Sequence, residues 1–134
     1  MNISRCSNRS QTHPKNFARP ERLLKDLDRQ GFKAVVIIDP GLKREPGYAA
    51  YDSGIAGGHF CRGPDGRVYV GKAWPGECVF PDFTRPATGA WWGELNRGLL
   101  DAGVAGIWND MNEPVDFTQP THLVPWDVRM DNDG

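Results

Sequence analysis

At 134 residues, 39% hydrophobic and 25% charged, the chain has the size and composition of one soluble globular domain with a core of its own. A net charge of −1 excludes the basic footprint of a general nucleic-acid binder, and no apolar run approaches a membrane span, the longest being Ala34 to Ile38. With 16 glycines and 11 prolines the chain is loop-rich, and five tryptophans are many for its length.

In chain order, residues 1–18 contain no acidic residue and almost nothing apolar, which predicts a disordered leader ahead of a domain over 19–134. The leader lacks the apolar segment of a secretory signal, which favours a cytoplasmic over a secreted chain. A helix is expected from Pro20 to Gly31: proline suits its first turn, Leu23, Leu24 and Leu27 share a face, and Gly31 is placed to stop it. The uninterrupted β-branched run from Lys33 to Ile38 predicts a strand covered on both faces, ending at the corner Asp39-Pro40-Gly41.

The stretch from Pro40 to Pro86 is too long for a plain connection. Its turn Pro64-Asp65-Gly66 predicts a hairpin over Arg62 to Tyr69, and its aromatics (Tyr48, Tyr51, Phe60, Trp74, Phe80, Phe83) suggest a functional loop. A second helix follows over Pro86 to Ala102, with Ala87, Trp91, Leu95 and Leu99 recurring every fourth residue and Gly103 as its stop. Trp91 and Trp92 are expected to pack against the sheet or a neighbour. Val104 to Trp108 is a second buried strand, ending in Asn109-Asp110-Met111-Asn112-Glu113-Pro114, and the tail from Val115 has no periodicity.

Helix, strand, long loop, helix, strand is a β/α alternation that implies a parallel sheet or a (β/α)8 barrel. Ligands bind beyond the carboxyl ends of the strands in both architectures, and Asp39 and Asp110 sit at such ends. Alone, each acid would serve to cap a turn. The company of Trp108, Met111, Asn112 and Glu113 points Asp110 instead toward carboxylate chemistry. Aromatic faces stack on the C–H faces of sugar rings while carboxylates bond the hydroxyls, so Trp74 and Trp108 with Asp39 and Asp110 suit a carbohydrate pocket. Cys6, Cys61 and Cys78 are odd in number and widely spaced, and His13, His59 and His122 are as dispersed, so neither a disulfide framework nor a metal is expected. Gly57-Gly58 lacks the Lys-Ser/Thr of a phosphate loop, and no cofactor is expected.

Three stretches carry a resemblance: VVIIDPG from Val35 to Gly41, VGKAWPGECVFPDFTRP from Val70 to Pro86, and GIWNDMNEP from Gly106 to Pro114. In order and spacing they resemble the family 31 glycoside hydrolases, the α-glucosidase and α-xylosidase group, from about Phe17 to Gly134. The resemblance implies a fragment of a (β/α)8 TIM barrel of about two βα units. Asp110 matches the catalytic nucleophile at the end of barrel strand four, and Asp39 an acid that binds sugar hydroxyls. Trp74 and Trp108 match pocket aromatics and Met111 a residue lining the same subsite, with Asn112 and Glu113 as supporting residues around the nucleophile. Glu113 stands too close to Asp110 to be the acid/base.

Asn109 stands where many members of the family have an apolar residue. The strand that carries a substrate-binding aspartate in the family has no counterpart before Phe17. The family's general acid/base aspartate and its substrate-binding arginine and histidine would lie after Gly134. Three readings follow. The chain is a piece of a retaining α-glycosidase, acting on a carbohydrate, inactive alone, with the rest of a barrel as its partner; it is a non-catalytic carbohydrate-binding protein; or it is a truncated reading frame without function. None of them involves nucleic acid or a membrane.

Overall fold

The computed structural model describes residues 19–131, so the expected leader over 1–18 lies outside the described residues. Its elements are α1 (Pro20–Arg29), β1 (Val35–Ile38), β2 (Leu42–Lys43), α2 (Ala49–Ala56), β3 (Gly71–Ala73), β4 (Gly76–Val79), α3 (Pro86–Asp101) and β5 (Gly106–Asn109). Both long helices start on proline, whose fixed φ suits a first turn, and both are followed by a glycine in the left-handed region, Gly31 at φ +84° and Gly103 at φ +102°.

β1 and β5 pair in parallel, Val35 with Gly106 through to Ile38 with Asn109. On one face Val36 and Ile38 form a core with Val104, packed by Leu24 of α1, Trp92 and Leu99 of α3, and Ile107. The other face is bare among the described residues, leaving Val35 56% and Trp108 59% exposed. The expectation of a strand covered on both faces is therefore corrected. Burial alternates along β1 because α1 and α3 lie on the same side. No closed barrel forms among the described residues, only an arc of one parallel strand pair and its helices.

Between β1 and α3 the chain folds into a second layer, an antiparallel sheet in the order β2-β4-β3. The expected turn at Pro64-Asp65-Gly66 is present, with Gly66 at φ +79°, but it closes only a single bridge between Arg62 and Val68. The hairpin proper is β3–β4, folded over Trp74-Pro75. Helix α2, which has no apolar stripe to announce it, forms because Asp52 accepts from the Gly47 N–H at 3.0 Å and because Ala50 packs beside Phe60. A Cβ on Gly54 would stand 2.2 Å from the Phe60 ring, so this close approach requires glycine.

The apolar stripe expected on α3 is turned by about one residue. Thr88 and Asn96 are its buried positions, not Ala87 and Leu95. Both polar side chains are satisfied inside, Thr88 Oγ1 against His59 Nδ1 at 3.2 Å and Asn96 Nδ2 donating to the Trp92 carbonyl at 2.8 Å. Trp91 stacks on His59 with centroids 4.7 Å apart and Trp92 makes a T-shaped contact with Phe83, as expected for packing residues. The aperiodic tail is tied to this layer by paired backbone bonds between Arg62 and Arg129. Trp126 is 97% exposed and has no hydrogen bond or ring contact among the described residues.

Candidate active site

The carboxyl ends of β1 and β5 lie side by side. The ladder continues one step past the strands, the Asp110 N–H donating to the Ile38 carbonyl at 2.9 Å, so Asp110 follows β5 in the register in which Asp39 follows β1. Neighbouring strands are about 4.8 Å apart, which makes the two acids adjacent. By the two-residue period of a strand both continue the row that faces away from the helices, the row of Ile37 and Trp108. Asp39 is buried and Asp110 exposed.

Immediately after Asp110 the backbone turns sharply. Asp110 Oδ1 accepts the Met111 N–H at 3.0 Å, and Met111 takes the left-handed region at φ +57°. This swings the thioether toward the β3–β4 tip, where its sulfur accepts the Trp74 indole N–H at 2.8 Å. Trp74 also meets Phe117 in a T-shaped contact, ring centroids 5.0 Å apart, and still leaves 56% of its surface exposed. Asp39, Asp110, Met111 and Trp74 are thus brought to one end of the strand pair, with Trp108 two residues before Asp110 on the bare face. Asn112 lines a cavity of about 240 Å3 with Pro40, Phe80, Pro81 and Met130, and Glu113 is exposed and precedes a cis peptide bond to Pro114.

The family model described as "Glycosyl hydrolases family 31 TIM-barrel domain" matches residues 3–134. The chain belongs to glycosyl hydrolase family 31. Alpha-glucosidase 2 of Bacillus thermoamyloliquefaciens is 44% identical over 118 residues, covering 88% of this chain and 15% of that protein. An alpha-glucosidase of Saccharolobus solfataricus is 42% identical over 111 residues, covering 83% and 16%. Among solved structures, a glucosidase II alpha subunit with Glc1Man2 bound superimposes with a TM-score of 0.84 at 29% identity, over 98% of this chain and 15% of that one. A family 31 alpha-glucosidase from Bacteroides thetaiotaomicron gives 0.70 at 37% identity, over 87% and 20%. The chain therefore spans about 15% of the length of the curated relatives it matches, and its strands are those of a partial TIM-barrel domain.

Two buried acids escaped the sequence reading. Asp82 and Asp116 each open a D-F-T-x-P stretch, Asp82 to Pro86 and Asp116 to Pro120, and this repeat was the available signal. Both are buried and fold the same turn. Asp82 Oδ1 accepts the Thr84 N–H and hydroxyl at 3.1 and 2.6 Å, and Asp116 accepts the Thr118 N–H and hydroxyl at 2.9 and 2.8 Å. Each then captures a remote backbone N–H, Asp82 that of Asp131 at 2.5 Å and Asp116 that of Lys72 at 2.9 Å. Each following phenylalanine meets a tryptophan in a T-shaped contact, Phe83 with Trp92 and Phe117 with Trp74.

Asp116 also accepts the Tyr69 hydroxyl at 2.5 Å. Burial alone pushes its carboxyl up, but the bonds from Tyr69, Thr118 and Lys72 outweigh that and hold it below the usual carboxylate value. Burial, with the Asp116 charge beside it, pushes the Tyr69 phenol up to about 12. The pair therefore stays as carboxylate and neutral phenol across the ordinary pH range. Burial likewise lowers the pKa of His59, assisted by the charge of Arg85.

Proposed function

We propose that this chain supplies the sugar-binding arc of a retaining α-glucosidase, with Asp110 as the nucleophile. Its carboxylate attacks the anomeric carbon, the bond to the leaving oxygen breaks, and a covalent glycosyl ester forms; water then cleaves that ester, so two inversions restore the configuration. Asp39 accepts hydrogen bonds from hydroxyls of the same ring. Trp74, Trp108 and Met111 present apolar surface to its C–H faces, with Asn112 and Glu113 supporting the turn that carries the nucleophile. The reading is carried by one observation, the register that sets Asp39 beside Asp110 at the mouth end of two parallel strands.

None of the residues brought together here is assigned the proton that must reach the leaving oxygen. By the family resemblance that group belongs to other barrel strands. General acid catalysis contributes about 10²- to 10⁴-fold, so the 134-residue polypeptide assayed alone is expected to leave aryl α-glucosides uncleaved.

The test is a chimera in which this chain replaces the matching segment of the Bacillus relative. The chimera should cleave aryl α-glucosides, and Asp110→Ala should lower kcat on the order of 10⁴-fold or more, as loss of a covalent nucleophile does elsewhere. Azide with α-glucosyl fluoride should then restore turnover and yield β-glucosyl azide, since the anion enters from the face the carboxylate occupied. Full activity in Asp110→Ala would refute the assignment.

A further inference from the structure

Trp74 is gripped by the segment that follows Asp110, its N–H by the Met111 sulfur and its ring by a T-shaped contact with Phe117. Neither grip explains itself, because Trp74 stands on a hairpin tip and remains half exposed. What joins the hairpin to the segment is Asp116. Its Oδ1 accepts the backbone N–H groups of Lys72 and Thr118, and its Oδ2 accepts the hydroxyls of Tyr69 and Thr118. The Lys72 carbonyl in turn accepts the Phe117 N–H at 2.7 Å, so Lys72, two residues before Trp74, is clamped through both its N–H and its carbonyl. The approach is close enough that a Cβ on Gly71 would fall 2.6 Å from Asp116 Oδ2.

We propose that Asp116 is a positioning residue: it locks the segment after the nucleophile to β3 and so fixes Trp74 and Met111 as one wall beside Asp110. That this wall meets a sugar rests on the reading above; the lock itself does not. The division of labour between the two oxygens sets the chemistry of substitution. Asparagine can turn its oxygen to the two backbone donors and its amide to the two hydroxyls, which rotate to accept. Alanine leaves both backbone N–H groups without a partner.

The test uses the full chain with 15N-labelled tryptophan, each indole signal assigned by a single Trp→Phe substitution. In the wild type and in Asp116→Asn, the Trp74 indole proton should show a nuclear Overhauser contact to the Met111 methyl. Asp116→Ala should lose that contact while the signal of Trp91, bonded to Ser53 Oγ, stays in place. A Trp74–Met111 contact that survives Asp116→Ala overturns the proposal, as does loss of the Trp91 signal in step with that of Trp74 in both Asp116 variants. Should Asp116→Ala unfold the chain, Tyr69→Phe with Thr118→Val replaces it, stripping both hydroxyls from Oδ2; an undiminished contact there overturns the proposal equally. Glucose titrated into the wild type reports on the sugar reading separately: a shifted Trp74 signal supports it, and an unmoved one counts against the sugar reading while leaving the lock to the Asp116 variants.

Discussion

Asp39 and Asp110 are register partners, each the residue that follows its strand, and the hydrogen bond from the Asp110 N–H to the Ile38 carbonyl holds them side by side. Only one of them is open to solvent. On the proposed reading the buried acid binds the sugar and the exposed one attacks it.

Replacing the buried member should therefore weaken binding of the sugar ring. In the chimera with the Bacillus relative, Asp39→Ala is expected to lower kcat/KM by roughly 10- to 100-fold, the value of one or two hydrogen bonds to a charged group. Azide should not rescue it, because no leaving-group or nucleophile step is removed. A variant within twofold of the parent would separate Asp39 from the substrate.

Glycine substitutions should divide sharply by location. Gly71→Ala drives a methyl into the Asp116 carboxylate and is expected to cost about 2 kcal/mol or more. Gly93→Ala, on the exposed side of α3 where a Cβ meets nothing within 4 Å, should stabilise by roughly 0.5–1 kcal/mol. Urea unfolding of the two variants beside the parent measures both, and equal effects would contradict the packing described for β3.

The same contrast explains what was legible in the sequence. The helices α1 and α3, the two parallel strands and the convergence of Asp39 with Asp110 follow from local rules: proline starts, glycine stops, apolar runs, and the strand-end position of ligands. The elements that were missed depend on partners outside their own segments. The hairpin at Trp74 is clamped by Asp116 from more than forty residues downstream, while helix α2 leans on Phe60, nearby in the chain but outside any apolar period of the helix. The inward turn of α3 follows from Thr88 finding His59, a pairing that no hydrophobic period encodes. Even so, the twin D-F-T-x-P stretches mark both anchors in the sequence itself.

Cys78 on β4 and Cys61 share one buried cluster with Ala73 and Phe80, where burial, with the charges of Asp116 and Asp82 respectively, pushes each thiol up to about 12. A folded-state pKa raised above the ordinary 9.0 contributes stability that is complete below about pH 9 and lost as pH rises through about 12. Tyr69, raised from 10.0 to about 12, acts in the same direction. The urea midpoint should accordingly fall between pH 9 and 12, with a smaller fall in Tyr69→Phe. At pH 8 neither of these two thiols should react with a disulfide reagent until urea is added. Fast reaction in the native protein would show that the cluster opens.

The bare face of β1 and β5 makes the last prediction. Phe32, Val35, Ile37 and Trp108 are all exposed apolar residues, and both outer strand edges are unpaired among the described residues. Such a surface drives association in water, since apolar area and open backbone donors are exposed together. The 134-residue polypeptide should bind a hydrophobic dye and self-associate in a concentration-dependent way by light scattering. Val35→Thr with Ile37→Thr should reduce both without lowering the urea midpoint, because neither side chain contributes to the core formed by Val36, Ile38 and Val104. Val36→Thr should do the opposite, costing stability by about 1–2 kcal/mol while leaving dye binding by the native state unchanged. A double variant that unfolds as readily as Val36→Thr would mean that the outward row is covered in solution.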